Sequence, residues 1–122
     1  MVTSKEILIL EDDALIAMDI EDTLGRAGYE KLSIHSGPDA ALDRLDHIEP
    51  AAALLDFNLG RNRTSAEVAD QLLRRNVPFL FLTGYTDATS SLPSRFSEIR
   101  KIAKPFRTAD LLKALSEMVG PD

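Results

Sequence analysis

The sequence predicts an α/β fold, a doubly wound parallel sheet of five strands with helices on both faces. Three observations predict this class. Five short apolar runs alternate with stretches of helical periodicity, the runs are apolar at nearly every position, and none is longer than five residues. Continuous apolarity is typical of strands that are buried on both faces, as in parallel sheets. Strands that alternate with helices form right-handed crossover units, which place helices on both faces of the sheet.

The predicted strands are the apolar runs themselves. In chain order they are Ile7–Leu10, Leu32–Ile34, Ala51–Leu55, Phe79–Leu82 and Ile99–Ala103. Their lengths suit strands better than helices. The second run is weak because it contains Ser33, and the fifth contains Arg100 and Lys101.

Helices are predicted between these runs. After the first strand, Ile16, Ile20 and Leu24 recur every four residues, and Gly28 is well placed to end the helix. Further helices are predicted at Asp39–Leu45, at Ala66–Arg74, and around the apolar stripe Leu111, Leu112, Leu115, Met118 and Val119. The stretch Asp87–Glu98 contains Ser, Thr and Pro93, so we expect any helix there to be short or irregular.

Composition and charge exclude several classes of function. The 122 residues favour one domain, 1–122, without a separate output domain. Fourteen basic against twenty acidic side chains argue against nucleic acid and against an anionic membrane surface as partners. The absence of cysteine excludes thiolate catalysis and cysteine-ligated metals. No run approaches the roughly 20 apolar residues of a membrane span, and no signal peptide is recognisable, so we expect a cytoplasmic protein.

Polar side chains directly follow four of the five predicted strands. They are Glu11, Asp12 and Asp13 after the first strand, Asp56 after the third, Thr83 after the fourth and Lys104 after the fifth. Because the carboxyl ends of parallel strands open onto one edge, these side chains should gather there. Two carboxylates 4 Å apart repel each other by about 4 kcal/mol at an effective dielectric constant of about 20, and a bound cation relieves this repulsion. A ligand set made only of oxygen atoms favours Mg²⁺ as that cation. Magnesium beside a carboxylate, a hydroxyl and an ammonium group suggests phosphoryl transfer to Asp56.

Four segments in order resemble the receiver domains of two-component response regulators over essentially the whole chain. The segments are Ile7-Leu-Ile-Leu-Glu-Asp-Asp13, Leu54-Leu-Asp-Phe-Asn58, Phe81-Leu-Thr-Gly84 and Ala103-Lys-Pro-Phe106. The resemblance implies a sheet of order 2-1-3-4-5 and Asp56 as phosphoacceptor. It implies that Glu11, Asp12, Asp56 and the backbone carbonyl of Asn58 hold Mg²⁺. It also implies that Thr83 and Lys104 bind the phosphoryl group and that the Lys104–Pro105 bond is cis.

The segment Pro78-Phe-Leu-Phe-Leu-Thr-Gly-Tyr85 resembles a narrower group of single-domain receivers in stress-response phosphorelays. That resemblance implies a histidine kinase or histidine phosphotransfer protein as phosphoryl donor. It implies no enzyme activity beyond the protein's own phosphorylation and dephosphorylation. The resemblance to receiver domains in general implies a downstream protein partner that binds the face of the fourth helix, fifth strand and fifth helix, between Asp87 and Met118.

Some positions depart from the family pattern. Lys101 stands where the family's switching aromatic residue is usual, and Tyr85 is the natural substitute. Gly60 and Thr64 replace the usual Pro and Gly of the loop before the third helix. We also expect Asp13 to cap the first helix rather than to bind metal. The basic residues Arg95, Arg100, Lys101, Arg107 and Lys113 form either a docking patch for an acidic partner or a solvated face.

Other functions are compatible with the same residues. A pseudo-receiver would keep the fold and bind partners without phosphate, and a phosphate sink would be phosphorylated without an output. An aspartate-nucleophile phosphatase of the haloacid dehalogenase type is a remote alternative. Such an enzyme needs a second acid two residues after its nucleophile, where this chain has Asn58.

Overall fold

The computed structural model describes residues 5–59, 63–84 and 92–119. The strands are β1 (Ile7–Leu10), β2 (Leu32–His35), β3 (Ala52–Asp56), β4 (Phe79–Thr83) and β5 (Lys101–Ala103). The helices are α1 (Ala14–Arg26), α2 (Pro38–Leu45), α3 (Ala66–Arg74) and α4 (Thr108–Val119), with a 3₁₀ turn at Ser94–Phe96. None of the helices in this part of the chain has the length and apolarity needed to cross a membrane.

The five strands form one parallel sheet of order β2-β1-β3-β4-β5. This arrangement confirms the predicted fold class and strand order. β1 and β3 are paired from Ile7 with Ala52 to Leu10 with Leu55, so both strands reach the carboxyl edge together. The carboxyl edge of the sheet is therefore where the polar residues that follow the strands meet.

Apolar side chains of the central strands alternate between two cores. Leu8 and Leu10 of β1 pack with α2, α3 and Phe96 on one face of the sheet, whereas Ile7 and Ile9 pack with α1 and α4 on the other. All residues of β1, β3 and β4 are buried. Fully burying one large aliphatic side chain is worth about 1.5–3 kcal/mol, so two filled cores hold the central strands rigidly in place.

Local signals at both ends of α1 behave as predicted. The Asp13 carboxylate accepts hydrogen bonds from the backbone N–H groups of Leu15 (2.9 Å) and Ile16 (3.2 Å), which confirms it as the N-cap. Gly28 follows the last turn with a φ of 103°, a left-handed conformation that a side chain would strain. This conformation lets the chain turn away from α1 before β2 begins at Leu32.

The structure corrects the predicted element boundaries at β5. The strand begins at Lys101 rather than Ile99, because the Ile99 N–H group bonds back to the Phe96 carbonyl (3.0 Å) in a turn. Strand β5 lies at the sheet edge, and its burial is accordingly partial, with Ala103 exposed. Within the predicted irregular stretch Asp87–Glu98, the described part holds only the 3₁₀ turn, while residues 85–91 lie outside the described residues.

Candidate functional site

Three carboxylates come together at the carboxyl edge of the sheet. Glu11 directly follows β1 and Asp56 ends β3, and the pairing of Leu10 with Leu55 makes these positions neighbours. Glu11, Asp12 and Asp56 each offer one oxygen, and these oxygens all lie within 4.8 Å of one another. Glu11 and Asp56 are buried, with 2% and 3% of their surface exposed, whereas Asp12 is open to solvent.

The Lys104 ammonium group lies between the two buried carboxylates. Its Nζ atom is 2.8 Å from Glu11 Oε1 and 3.2 Å from Asp56 Oδ2. The Lys104 N–H group donates to the Thr83 carbonyl (2.8 Å), which holds the end of β5 against β4. The Lys104–Pro105 peptide bond is cis. Because Lys104 directly follows the edge strand β5 and its ammonium group contacts Glu11 and Asp56, its side chain extends toward the ends of β1 and β3.

Burial and neighbouring charges change the pKa values of two residues of the site, Asp56 and Lys104. Burial, reinforced by the hydrogen bond and the negative charge of Glu11, raises the pKa of Asp56 from 3.8 to about 8, although Lys104 acts in the opposite direction. For Lys104, burial disfavours the ammonium form. The hydrogen bond with Glu11 and the charge of Asp56 outweigh this effect and raise its pKa. The lysine therefore stays charged, whereas the Asp56 carboxyl group is mostly protonated at neutral pH in the absence of a metal ion.

The donor set fits a hard cation. All three acidic ligands present oxygen, which Mg²⁺ prefers, and the exposed Asp12 leaves one side of the cluster accessible to water. The backbone of Asn58, two residues after Asp56, forms an antiparallel bridge with Thr64, and Leu59 N–H donates to the Arg63 carbonyl (3.0 Å). These contacts join residues 58–59 to residues 63–64, next to the acidic cluster.

Thr83 ends β4 next to the cluster. Asp56 pairs with Leu82, so Thr83 lies one residue further along the neighbouring strand, with 9% of its surface exposed. Gly84 follows it and is half-buried. Tyr85, predicted from the sequence as a substitute for the family's switching aromatic residue, lies outside the described residues.

Lys101 has a role that sequence reasoning missed. Its Nζ atom donates to the backbone carbonyls of Ile99 (2.8 Å), Ser97 (3.2 Å) and Phe96 (3.5 Å). The ammonium group thus provides a charged hydrogen-bond donor for three carbonyl groups of the turn that leads into β5. No sequence signal could identify these acceptors, because they are backbone atoms whose position depends on the turn.

The predicted basic cluster does not form one patch. Arg95 binds the Asp70 carboxylate of α3 with two hydrogen bonds (2.8 and 2.9 Å), and its guanidinium group lies 4.5 Å from the centre of the Phe96 ring. Arg100 pairs with Glu117 of α4 at 2.9 Å. Arg107 and Lys113 line a groove between β5 and α4. Arg95 therefore belongs to the α3 side of the sheet and the others to the β5 edge.

Comparison with known proteins supports one family. The solution structure of SdrG from Sphingomonas melonis Fr1 is 36% identical, with a TM-score of 0.81 over 95% of this chain and 97% of that one. A response regulator receiver protein from Burkholderia phymatum has a TM-score of 0.82 at 22% identity, which supports the fold alone. No protein-family model matches the chain.

Curated relatives are regulators that are longer than this chain. The phyllosphere-induced regulator PhyR of Methylorubrum extorquens is 29% identical over an alignment 120 residues long, which covers 92% of this chain and 42% of PhyR. The transcriptional regulatory protein PdtaR of Mycobacterium tuberculosis is 26% identical over 118 residues, 57% of its length. The chain thus spans about half the length of the curated relatives it matches.

Proposed function

Because the chain belongs to the receiver domains of response regulators, we propose that it accepts a phosphoryl group on Asp56 and signals through altered protein contacts. The donor in this proposal is a phosphohistidine of a histidine kinase or of a histidine phosphotransfer protein. The observation that carries the proposal is the position of the Lys104 ammonium group, within 3.2 Å of both Glu11 and Asp56.

Each side chain of the site has a distinct part in the proposed transfer. An Asp56 carboxylate oxygen attacks phosphorus while the phosphorus–nitrogen bond of the donor breaks. The donor imidazole, protonated on its other ring nitrogen, takes the bond electrons and leaves as neutral imidazole. Lys104 neutralises the charge that arrives on the phosphoryl oxygens, and Thr83 donates a hydrogen bond to one of them. Glu11 holds the Lys104 ammonium group in place through an ion pair of 2.8 Å.

Glu11, Asp12, Asp56 and the Asn58 carbonyl would hold Mg²⁺ in this scheme. The ion, when bound, supplies positive charge that lowers the repulsion between the carboxylates and the incoming phosphoryl group. Ionisation of Asp56 is the step that most needs this help, because burial beside Glu11 raises the pKa of its carboxyl group to about 8. Small shifts of the surrounding charges therefore control whether the nucleophile is available at neutral pH.

Intact mass spectrometry after incubation with acetyl phosphate tests the proposed chemistry. We expect a gain of about 80 Da, one phosphoryl group on a carboxylate, in the wild type with Mg²⁺ and none after chelation. The Asp56→Ala variant should gain nothing, and the matched control Asp19→Ala, which removes an exposed carboxylate of α1, should gain the same mass as the wild type. An equal adduct on Asp56→Ala would contradict the assignment of the acceptor.

The cellular role that we propose is that of a single receiver unit in a phosphorelay. Its output is proposed to pass through the face that the family resemblance places between Asp87 and Met118. Strand β5 and helix α4 belong to the described part of that face, and residues 87–91 lie outside the described residues. A pseudo-receiver is the alternative if neither acetyl phosphate nor a histidine kinase produces an adduct. A phosphate sink is the alternative if the adduct forms without changing the binding of any partner.

A further inference from the structure

The outer edge of β5 is open in the part of the chain that the structure describes. Strand β5 pairs only with β4, and it ends the strand order of the sheet. The Arg100 carbonyl and the Lys104 N–H group bond to β4. Since backbone groups of alternate residues point to opposite sides of a strand, those of Lys101 and Ala103 face away from the sheet. Two N–H and two carbonyl groups are thus available to a further strand.

A groove runs along this open edge and is bounded on its other side by α4. Apolar groups of Ile102, Phe106 and Ala114 contribute to its lining. The charged residues around it are Arg100, Lys101, Arg107, Lys113, Asp110 and Glu117. Four cations to two carboxylates is the reverse of the whole chain, which has fourteen basic and twenty acidic side chains. The groove is therefore a locally positive region on an acidic protein.

We propose that this groove binds an acidic segment of a partner protein in extended conformation, added as a sixth strand beside β5. The inference rests on the proposed function, because it names the class of partner that the output face would recognise. Strand addition satisfies the backbone groups of Lys101 and Ala103, and alternate acidic side chains of the partner reach Arg107 and Lys113. The Arg100–Glu117 ion pair, at 2.9 Å, fixes the far end of the groove.

Charge distinguishes this occupant from a second copy of the chain. Symmetric pairing of two β5 edges would bring two copies of this net positive region together, and repulsion between like charges opposes such pairing. A helix would leave the edge N–H and carbonyl groups of Lys101 and Ala103 without partners, which costs free energy when water is excluded. An extended acidic segment meets both requirements.

The test is a titration of the ¹⁵N-labelled, unphosphorylated chain with a capped heptapeptide in which glutamate alternates with valine and threonine. We expect the amide resonances of Lys101 and Ala103 to shift and their hydrogen exchange to slow. The double variant Arg107→Glu/Lys113→Glu should weaken binding at least tenfold. The matched variant Arg26→Glu/Lys31→Glu, with the same change in net charge on exposed residues elsewhere, should change it less than threefold.

Two further peptides make the result decisive. A peptide that is N-methylated at alternate residues keeps its side chains but loses the donors of one edge, and it should not bind. A peptide with lysine in place of glutamate should not bind either. Binding that leaves the Lys101 and Ala103 amides unchanged, equal binding of the lysine peptide, or no binding would each overturn the groove proposal. A missing phosphoryl adduct on Asp56 with normal peptide binding would instead count against the proposed function alone.

Discussion

Replacement of Asp56 by Asn should stabilise the metal-free protein. The Asp56 carboxyl group ionises with a pKa of about 8 in the folded chain, against 3.8 ordinarily, because it is buried beside Glu11. A group with a raised folded-state pKa contributes stability below its unfolded pKa and loses that contribution as the pH rises toward the folded value. Between pH 4 and pH 8 the wild type therefore becomes less stable, whereas the isosteric Asn variant lacks this source of pH dependence.

The expected size of the effect follows from the same two pKa values. Between the unfolded-state pKa of 3.8 and pH 7 the wild type loses about 4 kcal/mol of folding stability, which is the largest gain that the variant can show at pH 7. The pKa of about 8 already includes the opposing effect of Lys104, so the gain falls below this maximum only through hydrogen bonds of the protonated carboxyl group that the Asn amide does not reproduce. Each such bond is worth about 1 kcal/mol, and we expect a gain of about 2 kcal/mol. For a domain of this size that gain corresponds to a rise in Tm of roughly 6–10 °C.

Thermal and urea unfolding of the wild type and Asp56→Asn, in chelator between pH 5 and pH 9, measures this difference. The gain should grow with pH up to about 8 and then level off. Added Mg²⁺ should raise the stability of the wild type more than that of the variant, because only the wild type offers the full set of carboxylates. The control Asp19→Asn, on the exposed face of α1, should show neither trend. A variant that is less stable than the wild type throughout this pH range would refute the reasoning.

Three other substitutions test the packing and the local contacts. Phe96→Ala should lower the free energy of unfolding by about 3–5 kcal/mol in urea denaturation, because the ring is fully buried 5.3 Å from that of Phe81, and a loss below about 1 kcal/mol would contradict this packing. Asp13→Ala should cost about 1 kcal/mol through loss of the N-cap, with Asp13→Asn or Asp13→Ser restoring most of it in the same assay. Glu6→Gln should cost about 1 kcal/mol at pH 7 and nothing near pH 3. The hydrogen bond with Arg44 lowers the pKa of Glu6 below 4.5. The contribution of Glu6 to folding stability is therefore present above pH 4.5 and is lost as the pH falls. An equal cost of the substitution at pH 3 and pH 7 would contradict this assignment.

Local patterns in the sequence determined the class of fold and the neighbourhood of the site. Continuous apolarity at Ile7–Leu10 and Phe79–Leu82 identified buried parallel strands, and four-residue periodicity identified α1. The positions of Glu11 and Asp56 could be predicted as neighbours because parallel strands end at one edge, whatever the details of packing. These inferences need only information that is contained within each segment or in the general geometry of the fold.

Other features depended on contacts between distant parts of the chain, and only the tertiary structure decided them. Strand β5 begins at Lys101 rather than at the predicted Ile99, because the Ile99 N–H group bonds to the Phe96 carbonyl in a turn. The pattern of apolar residues contains no signal for that turn. The Lys101 ammonium group bonds to backbone carbonyls, which carry no side-chain signature. Arg95 was separated from the other basic residues by its pairing with Asp70 of α3, twenty-five positions earlier. Charge pairing and edge exposure are set by which surfaces meet in space, and a one-dimensional pattern does not contain that information.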